Sequence, residues 1–219
     1  MDSVKRTRLN PEQRRAQLIE LGVEMLSERT LDAISVEDIA DQAGVSRGLL
    51  FHYFGTKRGI YLEAMRSTAA AMSQAFAVVP DASPTEQIRA ALTAHLTYLR
   101  DHRGLALRMI LGGRGADPEA WQVFDDARTT VLIGAAALLG VDPENEAVRL
   151  MGRAAVAAVD ETTARWLEGE SRFGVDAIVE TLIHAIAGCL RSVPVLDPDV
   201  AVDHAVALLL GETTSGSIT

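Results

Sequence analysis

The spacing of apolar residues constrains the fold more than any other feature of the sequence. They recur every three or four positions along almost the whole chain, which is the period of an α-helix, and no segment shows the alternation typical of a half-buried strand. The sequence therefore predicts an all-α fold of about nine to ten helices. At 219 residues, 48% of them hydrophobic, the chain can form a small domain followed by a larger one.

Capping residues and helix breakers predict where the helices begin and end. Asn10 with Pro11 marks the start of the first helix, and Ser35 and Ser46 cap the two short helices that follow. Between these two helices, Gly44 supplies the left-handed residue of a tight turn. The predicted helices are 11–29, 36–43, 47–53, 57–79, 84–101, 102–111, 117–140, 143–168, 174–191 and 198–210.

The net charge of −9 is distributed unevenly along the chain. Residues 1–58 carry nine basic and nine acidic side chains, whereas residues 59–219 carry twelve basic and twenty-one acidic ones. The excess negative charge therefore lies in the C-terminal part, and the basic residues of the N-terminal part can form one face that follows the phosphates of DNA. The arm with Lys5, Arg6 and Arg8 either reaches DNA or is a solvated tail.

The first three predicted helices have the spacing of a helix-turn-helix, whose second short helix lies in the major groove of DNA. On that helix, Arg47 can bond a guanine edge, Gly48 permits close approach of the backbone, and Leu49 can contact a thymine methyl group. Thr56 and Lys57 begin the next helix, where free backbone N–H groups bind phosphate. The alternative interpretation is a helical hairpin without a role in DNA binding.

The run from Ser35 to Tyr61, SVEDIADQAGVSRGLLFHYFGTKRGIY, resembles the DNA-binding signature of the tetracycline-repressor (TetR) family. The resemblance covers about residues 10–61, and the rest of the chain is similar to the family only in length and helical pattern. It implies a transcriptional regulator, expected to be a repressor, that binds a palindromic operator as a homodimer and is released by a small molecule. The predicted DNA-contacting residues are Ser35, Ser46, Arg47, Gly48, Leu49, His52, Tyr53, Thr56 and Lys57.

Two positions depart from the family pattern. Phe51 stands where the family usually has tyrosine, so we expect one hydroxyl contact to phosphate to be absent. Gly59 replaces a more common acidic residue near the start of the fourth helix. Both differences bear on individual contacts, and the signature as a whole remains recognisable.

We expect residues 1–56 to form the DNA-binding domain and residues 57–210 a ligand-binding and dimerisation domain. No low-complexity linker separates them, so the long helix 57–79 is expected to be shared by both. The last residues, 211–219, are small and polar, and they predict a disordered tail.

A single three-helix DNA-binding domain buries only roughly 600–1,000 Å² on DNA, so we expect a homodimer that binds two half-sites. Helices 143–168 and 174–191 are apolar over more of their circumference than one core contact needs. In the TetR family such helices pair in a four-helix interface, although an intramolecular core is the simpler interpretation for any single residue. The predicted interface residues are Ala154, Ala158, Val179, Ile183 and Ile186.

The C-terminal helices also contain Met, Trp and Phe, which are typical of an adaptable apolar pocket, together with a few polar side chains that can orient a ligand. Core packing explains the same residues equally well. A hydrophobic or aromatic effector is indicated, without its identity. The predicted pocket residues are Met65, Met72, Phe76, His95, Leu99, Met109, Trp121, Phe124 and Thr129.

The sequence supports an enzyme poorly. Asp160 and Glu161 are adjacent and point to different faces of a helix, and His95 and His102 lack a third metal ligand at suitable spacing. The glycines of residues 111–115 lack the preceding strand and the lysine of a phosphate loop, and we interpret them as a turn between helices. We predict no catalytic residue, metal or cofactor. A DNA-binding protein that senses nothing, or an activator, remains an alternative.

The expected compartment is the cytoplasm. The longest apolar stretch, residues 131–141, is shorter than the roughly 18–20 residues of a membrane span. The basic N-terminus lacks the apolar run of a secretory signal, and the lone Cys189 fits a reducing environment. The expected partners are double-stranded operator DNA, a small-molecule effector and a second copy of the chain, with no membrane.

Overall fold

The computed structural model of the protein describes residues 10–74, 82–169 and 171–212, including all side chains there except those of residues 74 and 112–116. These residues are mostly helical and contain no β-strand, which confirms the predicted all-α class. The basic arm, Phe76 and residues 213–219 of the predicted tail lie outside the described residues. The helices are α1 (Pro11–Glu28), α2 (Val36–Ala43), α3 (Arg47–Phe54), α4 (Lys57–Gln74), α5 (Pro84–Asp101), α6 (Arg103–Ala116), α7 (Pro118–Leu139), α8 (Glu146–Glu168), α9 (Val175–Arg191), α10 (Val193–Leu196) and α11 (Asp203–Leu210).

The chain divides into two compact units, residues 1–68 and 69–219. The N-terminal unit contains α1 to α3 and the first part of α4, and the C-terminal unit contains the end of α4 and the remaining helices. The structural boundary therefore falls inside α4, and the division into functional domains at 56/57 remains a prediction.

Local hydrogen bonds form the caps that the sequence predicts in the N-terminal unit. The Asn10 side chain accepts from the Gln13 N–H, and the Gln13 side chain accepts from the Asn10 N–H. Ser35 and Asp38 form the same reciprocal capping box at the start of α2. Gly44 ends α2 with a φ of 62°, in the left-handed region. These hydrogen bonds between residues close together in the chain set where the helices of the helix-turn-helix begin and end.

Apolar side chains from all four helices form the core of the N-terminal unit. Its buried members include Leu18, Met25, Leu26, Ile34, Ile39, Leu50, Ile60 and Met65. Met65 was predicted to line a ligand pocket. The structure places it in this core, where it is 1% exposed.

In the C-terminal unit, α9 packs against α5, α8 and α11. The segment Val175–Leu196, which covers α9 and α10, is long and apolar enough by composition to span a membrane, and it exceeds the stretch identified in the sequence. Leu182, Ile183 and Ala187 of this segment are completely buried in the core of the unit. The buried face of α9 therefore lies in a protein core, which accounts for part of its apolar character.

Three predicted boundaries in the C-terminal unit are wrong. α6 continues through the glycines of residues 112–115 to Ala116, because glycine weakens a helix without ending it, and the next cap is Asp117. α8 begins at Glu146 instead of residue 143, since the Asn145 side chain accepts from the first N–H groups. The helix expected at 198–210 begins later, at Asp203 of α11, and α10 (Val193–Leu196) is an additional short helix that the sequence did not predict.

Candidate DNA-binding surface and ligand cavity

The recognition helix α3 has one buried and one exposed face. Ser46 caps it by accepting from the Leu49 N–H at 3.2 Å, and Leu50 points into the core with 1% exposure. The exposed residues of α3 are Arg47, Gly48, Phe51 and His52, while Leu49 and Tyr53 are half-buried at the edges of this face. We call these four exposed residues the α3 face.

Phe51 is the member of the α3 face that the site prediction missed. Its side chain is 42% exposed, although the neighbouring Leu50 is buried in the core. The signal was present in the sequence, because positions 47, 48, 51 and 52 fall on the same side of an α-helix. Phe51 lacks the hydroxyl of the usual tyrosine but keeps an apolar ring that can contact DNA.

Arg47 forms an ion pair with Glu37 of α2, with 2.5 Å between Nη1 and Oε1. Both side chains are more than half exposed, at 59% and 52%. Exposed pairs of this kind are weak, so a guanine edge or a phosphate can compete for the guanidinium. The pair holds Arg47 on the outer surface of the helix-turn-helix.

The turn between α3 and α4 depends on two glycines. Gly55 has a φ of 69°, and around it the Thr56 N–H donates to the Phe54 carbonyl at 2.7 Å. The Thr56 hydroxyl accepts from the Gly59 N–H at 2.9 Å and so caps α4. A Cβ on Gly59 would lie 2.0 Å from the Phe54 carbonyl oxygen, which explains why no side chain stands there.

Two of the predicted DNA-contacting residues, Lys57 and Ser35, already have intramolecular partners. The Lys57 Nζ donates to the Ile34 carbonyl at 2.7 Å, and the Ser35 hydroxyl accepts from the Asp38 N–H at 3.0 Å. Ser35 can still donate its hydroxyl proton, whereas Lys57 would have to share or exchange its bond to contact DNA. The role of Lys57 as a phosphate ligand stays a prediction.

The C-terminal unit contains a cavity of about 130 Å³ between α4, α5, α7 and α8, which is also lined by single residues of α9 and α11. Of the predicted pocket residues, Met72, His95 and Phe124 line this cavity. Leu99, Met109 and Trp121 do not. Thr129 lies instead on an open groove between α7 and α8, where its hydroxyl accepts from Arg153.

Two charged residues that the pocket prediction missed also line the cavity. The Nη2 of Arg128, on α7, lies 2.9 Å from the Oδ2 of Asp160, on α8, and these side chains are only 16% and 25% exposed. Burial raises the pKa of Asp160, and the positive charge of Arg128 opposes this rise. Burial and the charge of Arg128 lower the pKa of His95 to about 4, so this imidazole is neutral at pH 7.

The predicted dimer residues fall into two groups. Val179 and Ile183 are 3% and 0% exposed in the core of their own unit, so their side chains are not accessible to a second copy of the chain. Ala154 is exposed on α8, and Ala158 and Ile186 are half-buried, Ile186 against the cavity. The pattern of apolar residues on α9 did not reveal which side faces α5 and α11, because most of its circumference is apolar.

Two family models match the chain. Residues 18–64 match the model described as bacterial regulatory proteins, tetR family, and residues 84–189 match that of the tetracyclin repressor-like C-terminal domain. Together these two matches cover well over half of the 219 residues.

Curated relatives include both a repressor and an activator. The transcriptional repressor KstR2 of Mycobacterium tuberculosis is 33% identical over 91 residues, which are 41% of this chain and 46% of KstR2. The match therefore spans less than half the length of that relative. The transcriptional activator FasR of Mycolicibacterium smegmatis is 25% identical over 194 residues, covering 85% of this chain and 87% of FasR.

Solved structures show the same fold. A tetR-family transcriptional regulator from Streptomyces coelicolor has a TM-score of 0.80 at 21% identity, covering 93% of this chain and 91% of its own. The regulator FadR from Bacillus subtilis, solved in complex with stearoyl-CoA, has a TM-score of 0.62 at 21% identity and covers 78% of this chain and 96% of its own. At these identities the likeness concerns the fold alone.

Proposed function

The chain belongs to the TetR family of DNA-binding transcriptional regulators, and we propose on this premise that it is a repressor that binds a palindromic operator as a homodimer. A small, predominantly apolar effector binds the cavity of the C-terminal unit and releases the protein from DNA. The observation that carries the proposal is the α3 face, in which a capped helix presents an arginine, a glycine and two rings to solvent beside a helix-turn-helix core.

The composition of the α3 face suits the major groove. Arg47 can donate two hydrogen bonds to a guanine, Gly48 lets the helix approach the bases, and Phe51 can contact a thymine methyl group. Ser35, Tyr53, Thr56 and Lys57 flank this face and supply contacts to phosphate. Each specific base contact contributes roughly 1–3 kcal/mol of discrimination.

Dimerisation places two α3 helices on successive half-sites about 34–36 Å apart. We place the dimer contact on the sides of α8 and α9 that the single chain leaves exposed. On α9 these residues are spaced by three or four positions and form one stripe, and on α8 Ala154 belongs to the corresponding side. The stripe on α9 comprises Ala177, Thr181, His184 and Gly188.

Helix α4 supplies the link between effector and DNA. It begins with Lys57 in the N-terminal unit, and its residues Met72 and Ser73 line the cavity. An effector that displaces these two residues moves α4 and alters the distance between the recognition helices of the dimer, so that one set of half-site contacts is lost.

We further propose that the protein is not an enzyme and acts in the cytoplasm. Within the described ranges, no group of three or more His, Cys, Asp or Glu side chains is arranged to hold a metal ion. The curated relatives it matches are named as transcriptional regulators. Activation in place of repression is a second candidate, favoured by the match to FasR over most of both chains.

The experiment that tests this function is a titration of the purified protein with the DNA flanking its own gene, at a stated salt concentration. Arg47→Ala removes the proposed base contact, and we expect a loss of roughly tenfold or more in operator affinity. Arg66→Ala is the matched control, because Arg66 also forms an ion pair with a glutamate in the same unit and lies on α4. Equal affinities of the two variants would contradict the proposal.

A further inference from the structure

Apart from four polar residues, the described residues that line the cavity of the C-terminal unit are alanines, larger aliphatic side chains, methionine and phenylalanine. The polar residues are Ser73, His95, Arg128 and Asp160. Its volume of about 130 Å³ is similar to that of an engineered apolar cavity, roughly 150 Å³, that holds benzene. The cavity is therefore suited to an apolar group of about the size of one ring.

The two charges of the cavity neutralise each other. Arg128 and Asp160 are 2.9 Å apart and mostly buried, so each is compensated by the other. A second ion pair joins the same two helices, in which the Nη1 of Arg153 lies 2.7 Å from the Oδ1 of Asp125. Among the described residues that line the cavity, Arg128 is the only arginine or lysine, and it is already paired with Asp160.

An ionised ligand would have to separate this pair. A carboxylate that takes the guanidinium of Arg128 leaves the carboxylate of Asp160 buried without its partner, which is strongly unfavourable. An ammonium group that pairs with Asp160 leaves the guanidinium of Arg128 buried without its partner, which is equally unfavourable. A hydroxyl or carbonyl group can bond to the pair without separating it, since a guanidinium has five N–H donors and a carboxylate has two acceptor oxygens.

We infer that the cavity selects an uncharged effector with an apolar body and one hydroxyl or carbonyl group, and that Arg128 with Asp160 excludes ionised molecules of the same shape. The neutrality of His95, whose pKa is lowered to about 4 by burial and by Arg128, is consistent with a site that disfavours additional charge. This inference rests on the proposed function, because it specifies the effector class of the same cavity.

Three probes of equal size and different charge test it, namely benzyl alcohol, benzoate and benzylamine at pH 7.5. Binding to the full-length protein is measured by the shift in Tm and by titration of the NMR spectrum. We expect benzyl alcohol to bind about tenfold or more tightly than either ion. Benzoate that binds the wild-type protein as tightly as benzyl alcohol would overturn the inference.

Two variants should change which of the charged probes the cavity binds. Asp160→Asn keeps the shape of the side chain and leaves the guanidinium of Arg128 available, so benzoate should then bind about tenfold more tightly than to the wild type. Arg128→Met leaves Asp160 available and should favour benzylamine in the same way. Glu161→Gln is the matched control, because it removes a carboxylate from the adjacent exposed position and should change no preference.

The outcomes distinguish a failure of the charge selection from a failure of the proposed effector site. If all three probes bind alike in every variant and weaken operator binding, the effector site stands and the charge selection is wrong. If no probe binds the wild type or either variant while circular dichroism shows a folded chain, the cavity is not an effector site, and both the inference and the proposed release mechanism fail.

Discussion

Gly59 shows how one residue without a side chain determines a turn. Its missing Cβ makes room for the Phe54 carbonyl, which would otherwise be 2.0 Å away. The exposed Gly48 of α3 has no such constraint, since the nearest atom to an added Cβ is the Ser46 hydroxyl oxygen at 3.9 Å. The two glycines are thus of different kinds, one required by the fold and the other available for contact with DNA.

Gly59→Ala is therefore expected to destabilise the N-terminal unit by about 2 kcal/mol, the order of an overpacked core substitution. Gly48→Ala should leave stability unchanged or raise it by roughly 0.5–1 kcal/mol, because alanine is favoured in helices. Amide hydrogen exchange in α3 and α4 measures both effects. Equal protection in the two variants would show that the α3–α4 turn relaxes easily.

Phe51 should contribute to operator binding through its ring. An apolar side chain that is 42% exposed in the free protein gains when it is buried against a thymine methyl group or a sugar. Phe51→Ala should weaken operator binding by about 1 kcal/mol without changing stability. Fluorescence anisotropy with labelled operator measures the affinity, and Phe173→Ala, at an exposed phenylalanine of the C-terminal unit, is the control. Unchanged affinity of Phe51→Ala would exclude a contact by the ring.

At the scale of helices, the sequence predicted most elements and failed where two stop signals compete. Asn10, Ser35 and Ser46 act through hydrogen bonds within three residues, so the caps can be read directly from the chain. The end of α6 was predicted too early, because the glycines before Asp117 weaken the helix without ending it. Pro194 lies in the first turn of α10, where proline is tolerated, and this short helix was not predicted.

The exposed stripe of α9 carries a prediction about assembly. Gly188 has open space around it, so Gly188→Arg introduces a long charged side chain without a clash inside the subunit. We expect this variant to sediment as a monomer and to bind operator more weakly than the wild type, since a charge in the interface core disfavours pairing. Ala90→Arg on the exposed side of α5 is the control. A Gly188→Arg variant that remains a dimer would place the interface elsewhere.

At the scale of the whole molecule, the burial of His95 couples stability to pH. The unfolded chain binds a proton on this imidazole below pH 6.5, whereas the folded protein does so only near pH 4. The free energy of unfolding should therefore decrease as pH falls between these values, by about 3 kcal/mol in total from this group. Well above pH 6.5 this group contributes no dependence on pH, because it is neutral in both states.

The comparison of His95→Gln with the wild type isolates this effect, because the other titrating groups are common to both proteins. The variant should show a smaller loss of Tm between pH 6.5 and pH 4.5, whatever its absolute stability. His204→Gln, at an exposed position on α11, is the control variant. Parallel curves for His95→Gln and the wild type would mean that His95 is protonated in the folded state.

The sequence by itself determined the helices, the helix-turn-helix and most of the α3 face, because caps, turns and helical faces are set by residues close together in the chain. Only the tertiary structure decided which faces meet. Arg128 and Asp160 belong to different helices, and the outward side of α9 depends on α5 and α11. These relations arise from packing between distant segments, so a pattern of apolar residues cannot specify them.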